Sequence, residues 1–325
     1  MDTASGGLGQ GGKVDLGQVG VEVVGTQPQH IGRLLLRCQP SLPYRRDLPL
    51  SGGRPPRTAA PGPDHSVARS WFNALMQTHD VRIDGELVHK RFIDGKPGGA
   101  EREWRALRLL AEHAPGLAPS PVEYGADLVV MSRVEGTPIF LLPVVPEQEL
   151  VEAVDRMHGA VPRRVLDQVP ERLWPVERIR DQLLAWAGRW RPKNALADQA
   201  VREGARWLGG WEPGERGVRP VFGAGDGNTA NFLWDGGRVR IVDFEESGRS
   251  DRATEVAEMA EHVSCWVHGG GSEVGFELDS AEERRLLECR RLFALMWVFL
   301  LKDEGPRNPP GTFMRAVGRA LERLG

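Results

Sequence analysis

The residues best equipped for chemistry lie between Val221 and Asp251, in the run VFGAGDGNTANFLWDGGRVRIVDFEESGRSD. Phe232-Leu233-Trp234 and Val239 to Val242 are short apolar runs. Asp235-Gly236-Gly237 between them supplies the positive φ angles of a tight hairpin turn. Asn231 stands six residues before Gly237 and Asp243 six residues after it. A hairpin centred there sets the two opposite each other at its open end, about 5 Å apart between Cα atoms. Asp226 lies five residues before Asn231, across a loop. Two oxygen ligands at one end of a hairpin suit a divalent cation. Magnesium takes hard oxygen ligands and fills its other positions with water and phosphate. The nearby Asp226 carboxylate is then a candidate base. Gly225-Asp226-Gly227-Asn228 also has the composition of an ordinary turn; the paired Asn231 and Asp243 favour the functional reading.

The elements that must position these groups are legible upstream. Val81-Arg82-Ile83 alternates, Asp84-Gly85 turns the chain, and Leu87 to Phe92 continues as a second strand. Lys90 shares a strand face with Val88 and Phe92, and a lysine on an apolar face calls for a counter-charge or a phosphate. Arg91 is the other candidate, and an edge-strand lysine reaching outward is the plainer reading. A helix is expected from about Ala100 to Ala114, with Glu103, Leu107 and Leu110 on one face. A glutamate on a buried stripe needs a partner; Glu101 is the alternative to Glu103. Asp127 to Met131 reads as a buried strand, followed by the polar link Ser132 to Val134 and by Gly136-Thr137-Pro138. Helices are expected at Leu150–Ala160, near Pro175–Arg189 and Asp198–Leu208, and at Thr254–Val263, Ala281–Leu301 and Phe313–Leu324. His158 reads as a core or capping histidine. Trp186, Trp190 and Trp207 recur at helical spacing, which marks core more than a substrate platform. Glu255, Glu258 and Glu261 give their helix an acidic character that would suit a cationic acceptor, although a solvated face explains any one of them.

The spacing Asp226-x4-Asn231, a hairpin, then Asp243-Phe244-Glu245 resembles the catalytic segment of the kinase-like phosphotransferases. In detail it is most similar to the aminoglycoside phosphotransferase family, which typically shows His-Gly-Asp-x4-Asn, then Asp-Phe, then a further Asp. Here the residues are Ala224-Gly225-Asp226, Asn231, Asp243-Phe244 and Asp251, and the resemblance runs roughly from Asp80 to Leu301. It implies Asp226 as the base at the acceptor hydroxyl, Asn231 and Asp243 as magnesium ligands, and Asp251 as a brace of the loop. It implies that Lys90, held by Glu103, binds the phosphates of ATP, and that the backbone of Met131, Ser132, Arg133 and Val134 forms a hinge bonded to adenine. The implied fold is α+β, two-lobed and protein-kinase-like. A small antiparallel-sheet N-terminal lobe would occupy residues 66–134, and a mostly helical C-terminal lobe residues 135–325. The sequence departs from the pattern in two places. Ala224 stands where the family usually has a bracing His. The first strand and the nucleotide-covering loop would have to come from Ser66 to His79, which has no glycine-rich turn.

Composition bounds the remainder. The chain has 325 residues, enough for two domains or one two-lobed enzyme, and a net charge of −3, which points away from nucleic-acid partners. Cys38, Cys265 and Cys289 have no metal spacing and fit a reducing cytosol. No apolar stretch is long enough for a bilayer, and no signal peptide is visible at the N-terminus. Residues 1–65 hold 12 Gly and 8 Pro with little periodicity, so this extension is expected to be disordered. Its Gly7-x-Gly9-x-x-Gly12 and Gly7-x4-Gly12-Lys13 patterns are decoys: no buried strand can precede them, and Val14 stands where a P-loop needs Ser or Thr. Translation starting at Met76 is a further expectation. The whole points to an ATP- and magnesium-dependent phosphotransferase acting on a small-molecule hydroxyl, an aminoglycoside-like acceptor first. It is expected in the cytoplasm, with no membrane, nucleic-acid or obligate protein partner. A kinase-like binder without transfer is the alternative, favoured by Ala224 and the short lid and opposed by the retained Asp226, Asn231 and Asp243. A protein kinase fits less well, since no Ala-Pro-Glu follows Asp243.

Overall fold

The computed structural model describes residues 79–93, 98–214, 217–267, 275–303 and 308–325. The expected extension over 1–65, its glycine decoys, Met76 and all but the last residue of the segment 66–79 lie outside the described residues. Gly85, at φ +57°, turns β1 (Asp80–Asp84) into β2 (Leu87–Arg91). With β3 (Pro121–Tyr124) and β4 (Leu128–Ser132) they make an antiparallel sheet in the order β1-β2-β4-β3. Helix α1 (Gly99–His113) packs against this sheet. Its Ala106, Leu107 and Leu110 are sealed from solvent, and each leucine contributes roughly 2 kcal/mol of burial.

After β5 (Thr137–Pro138) and a short 3-10 turn (Ile139–Leu141), the chain is mostly helical: α2 (Glu147–Ala160), α3 (Arg163–Leu166), α4 (Val176–Ala187) and α5 (Ala195–Gly210). Then come β6 (Pro220–Gly223), the hairpin strands β7 (Phe232–Trp234) and β8 (Val239–Ile241), and β9 (Gly248–Asp251). Helices α6 (Arg252–Glu261), α7 (Val263–Val267), α8 (Ser280–Leu300) and α9 (Thr312–Leu324) complete it. Strands β5, β7 and β8 form one small sheet, and β6 pairs with β9. Helix α8 starts in a full capping box made by Asp279 and Glu282, which satisfies orphan N–H groups reciprocally. It packs against α4, α5, α6 and α9, so it is the axis of the helical lobe, as its apolar C-terminal half suggests. The expected α+β, two-lobed arrangement is the one found. Trp186, Trp190 and Trp207 pack on the helical core, the first two against Phe299.

The hairpin differs from expectation by one residue. Phe232 pairs with Ile241 and Trp234 with Val239, so Asn231 lies opposite Val242, whose N–H donates to the Asn231 carbonyl at 3.0 Å. The turn closes between the Asp235 N–H and the Arg238 carbonyl, with Gly236-Gly237 as its two central residues. The Asp235 carboxylate accepts from the Gly237 and Arg238 N–H groups, which fixes that register. Asp243 therefore lies beyond the ladder.

His158, on the buried face of α2, has neither ring nitrogen hydrogen-bonded. Burial holds its imidazole down to about 3. Below the ordinary histidine value of about 6.5 the unfolded chain takes up a proton that the folded protein does not, so stability falls as pH drops from there toward 3. At pH 5 this amounts to about 2 kcal/mol. Urea unfolding at pH 7 and pH 5 should show that loss in the wild type and a correspondingly smaller one in His158→Leu. Equal losses would contradict the assignment.

Candidate active site

Lys90 is the meeting point of both lobes. It sits on β2 between Val129 of β4 and Val81 of β1 and is 6% exposed. Its Nζ donates to Glu103 Oε2 of α1 at 3.0 Å and to Asp243 Oδ1 at 2.6 Å, and Glu245 Oε2 is 3.1 Å away. Burial alone would drive the ammonium toward neutrality. The carboxylates of Asp243, Glu103 and Glu245 outweigh it and hold the lysine well above its ordinary range. Burial pushes the Glu103 carboxyl up to about 7 despite Lys90, because Asp243 and Glu245 compete for the same cation. Glu103 Oε2 also accepts the Phe244 N–H at 2.8 Å, so one carboxylate holds both the lysine and the backbone after Asp243. His79 closes the far side: its Nε2 pairs with Glu245, and its ring lies 4.5 Å from that of Phe92. The alternatives fall elsewhere. Arg91 pairs with Asp127 on the surface, and Glu101 pairs with Arg105.

Asp243 has φ +68°, the one non-glycine residue with positive φ among those described. Aspartate tolerates this region better than most residues, yet the conformation still costs of order 1 kcal/mol. It turns the carboxylate out of the β8 ladder and toward Lys90. Asp226 stands on the neighbouring loop. Its Oδ1 accepts the Asn228 N–H and its Oδ2 accepts Asn231 Nδ2, both at 3.0 Å. That second bond assigns the amide: Nδ2, the donor, faces Asp226. Two glycines let the loop approach its neighbours. Gly225 has φ +75° and a Cβ there would lie 2.3 Å from the Glu246 carbonyl oxygen; one on Gly227 would lie 2.5 Å from the Met259 nitrogen.

Arg172, which sequence reasoning passed over, fastens this loop from below. Only 3% exposed, it donates to Glu255 Oε1 at 2.8 Å, Glu258 Oε2 at 2.6 Å and the Gly225 carbonyl at 2.9 Å. Glu255 Oε2 in turn accepts the Gly225 N–H. Burial opposes the guanidinium charge, but Glu258 and Glu255 outweigh it and raise its pKa. Glu-Arg-Leu-Trp in a loop carries no local signal for this; only the buried acidic face of α6 hints at a missing cation. The expectation that α6 offers negative charge to an acceptor is corrected here. Glu255 and Glu258 are spent on Arg172, and the fully buried Glu261 is held by Arg290, Arg319 and Arg323 at 2.7 to 2.9 Å. Asp251 caps α6 through the Thr254 N–H at 2.8 Å and pairs with Arg285, so it braces the helix start. In the segment Met131–Val134, the Ser132 and Arg133 N–H groups already bond the Ser120 and Glu86 carbonyls.

A lysine held by a helix glutamate, an Asp at positive φ and an Asp–Asn pair on a glycine loop form one arrangement across two lobes. The profile of the phosphotransferase enzyme family (APH) matches residues 73–293. This chain belongs to that family. A choline/ethanolamine kinase family protein from Mesorhizobium loti superposes with a TM-score of 0.54 at 21% identity, covering 76% of this chain and 90% of the other. Aminoglycoside 2'-phosphotransferase-IIIa, in its GDP complex, gives 0.50 at 13% identity, covering 80% and 99%. These likenesses are of fold. A search of curated proteins finds no match. Among the described residues no helix is long and apolar enough to cross a membrane.

Two substitutions test the buried charges. Glu103→Ala leaves the Phe244 N–H unpaired and removes one of the three carboxylates from Lys90, which keeps Asp243 and Glu245; it should cost about 1–3 kcal/mol by urea unfolding, while Glu101→Ala leaves the midpoint nearly unchanged. Arg172→Met leaves two carboxylates unpaired and should cost about 3–5 kcal/mol. A neutral result for either buried residue would contradict this geometry.

Proposed function

We propose that this phosphotransferase moves the γ-phosphoryl group of ATP, with magnesium, to a hydroxyl of a small molecule, with aminoglycoside-like acceptors the first class to screen. The observation that carries the reading is the convergence of Lys90, Glu103 and Asp243 beside the Asp226–Asn231 pair. Three carboxylates around one ammonium leave excess negative charge, and the Asn231 amide oxygen and the Asp243 carboxylate are hard donors. These two residues fit a magnesium ion that keeps phosphate and water in its other positions. Bound there, magnesium would neutralise charge on the transferring phosphoryl group.

The chain's own residues supply positioning. Lys90 exchanges its Asp243 contact for nucleotide phosphates while Glu103 keeps it in place. Within Met131–Val134 the Ser132 and Arg133 amides are committed, so in this reading the Val134 backbone is the part left to bond adenine. Asp226 aligns the acceptor hydroxyl and takes its proton as the oxygen attacks, and Asn231 Nδ2 keeps its carboxylate oriented. Acceptor choice rests on groups other than α6, whose carboxylates are neutralised internally.

Asp226→Asn should lower turnover of ATP by at least about 100-fold with little change in nucleotide affinity, measured as magnesium-dependent phosphate release with and without an acceptor panel. Unchanged turnover would remove Asp226 from the mechanism. Nucleotide binding without any turnover in the wild type would support the second reading, a kinase-like binder, which Ala224 in place of the family's histidine favours.

A further inference from the structure

Asp226 has a neighbour that the family pattern does not supply. Ala224, where the pattern has a histidine, is buried and has only a methyl side chain. His262, at the junction of α6 and α7, brings Nε2 to 3.7 Å from Asp226 Oδ1. That side chain is 15% exposed, and its ring stands edge-on to Trp297 at 4.9 Å.

The surrounding hydrogen bonds fix which ring nitrogen carries the proton. The Ser264 N–H donates to His262 Nδ1 at 3.2 Å, so Nδ1 is an acceptor. Ser264 Oγ is 2.7 Å from the same nitrogen. That hydroxyl already accepts from the Thr229 N–H at 2.9 Å and from Thr229 Oγ1 at 2.8 Å, so its own hydrogen goes to Nδ1. A neutral imidazole with Nδ1 accepting has its hydrogen on Nε2, facing the Asp226 carboxylate. Burial keeps the ring neutral, holding it down to about 3. At 3.7 Å the contact is charge to dipole, just longer than a hydrogen bond. Asp226 is then held by two hydrogen bonds, from the Asn228 N–H to Oδ1 and from Asn231 Nδ2 to Oδ2, and the His262 Nε2–H adds its dipole toward Oδ1.

We propose that His262 is a positioning residue for Asp226, orienting the carboxylate from α6–α7 with a fixed Nε2–H. It carries no proton relay, because its facing nitrogen is already protonated and Asp226 alone accepts the hydroxyl proton. The Thr229–Ser264–His262 chain links the start of the Asn231 turn to the same carboxylate, so the base and the candidate metal ligand are set by one network. This role rests on the phosphotransfer reading of Asp226; the tautomer does not.

The test has two arms on the full-length protein. In a long-range 1H–15N correlation spectrum, His262 should be neutral with its hydrogen on Nε2 between about pH 5 and about pH 8, and its Nε2 resonance should move in Asp226→Asn while that of His158 stays. A hydrogen on Nδ1, or no response to Asp226→Asn, overturns the proposal. In magnesium-dependent ATP hydrolysis, with water as acceptor, His262→Leu should lower kcat about tenfold with KM for ATP within about twofold. His262→Gln, which keeps an amide donor near the Nε2 position, should recover most of that loss. Equal losses in both variants, or a loss confined to KM, overturn the positioning role. The expected tautomer in a protein that turns over no ATP overturns the phosphotransferase reading and, with it, the role of His262, leaving the contact a structural one.

Discussion

A charge removed from water must find an opposite charge, and the structure around the site is arranged by that constraint. Lys90 is its sharpest case. Its ammonium is buried on a strand of the sheet, and the three carboxylates that reach it come from α1 and from the segment after β8. The pairing joins sheet, helix and the segment after β8 through one nitrogen. Glu103 extends the link to the Phe244 backbone, so the position of α1 and the path of the chain at Asp243 are coupled. A nucleotide phosphate and a cation arriving there would meet groups already held in place, and positioning of this kind is the main contribution a phosphotransferase makes.

The same constraint recurs below the site. Arg172 takes Glu255 and Glu258 from α6 and the Gly225 carbonyl from the Asp226 loop. Asp251 is shared by the α6 N-terminus and Arg285 of α8, and Glu261 by three arginines of α8 and α9. Helix α6 is thus a rail of buried acids, clasped by Arg172 from one loop and by arginines of α8 and α9. Breaking such a pair costs far more than making it gains, because the stranded charge stays buried. The loop carrying Asp226 therefore stands on supports that tolerate little substitution, although few of them touch the reacting groups.

Much of this was legible in the sequence, for physical reasons. Lys90 among Val88 and Phe92, and Glu103 among Leu107 and Leu110, violate the apolar pattern of their own elements, and a charge on an apolar face signals a partner. The helices followed from apolar periodicity, and Asp226, Asn231 and Asp243 from spacing. The illegible parts depend on long-range geometry or on a single hydrogen bond. Arg172 lies in a loop with no periodicity, and its carboxylate partners are more than 80 residues away. The acidic run on α6 looked like a solvated or acceptor-facing surface, because nothing local shows that Arg172, Arg290 of α8 and Arg319 and Arg323 of α9 turn toward it. The hairpin register slipped by one because the turn is centred between Gly236 and Gly237, a detail fixed by the Asp235 side chain. His262 was invisible because its relation to Asp226 runs through Ser264 and Thr229.

The central claim is that the Lys90–Glu103–Asp243 cluster is where magnesium and nucleotide meet. The most direct measurement is a thermal-shift titration with ATP, with and without magnesium, on wild type and Asp243→Ala. The account requires a magnesium-dependent rise in the wild-type midpoint that grows with ATP concentration and is lost in Asp243→Ala. An equal rise in both proteins, or no rise in wild type, would contradict it.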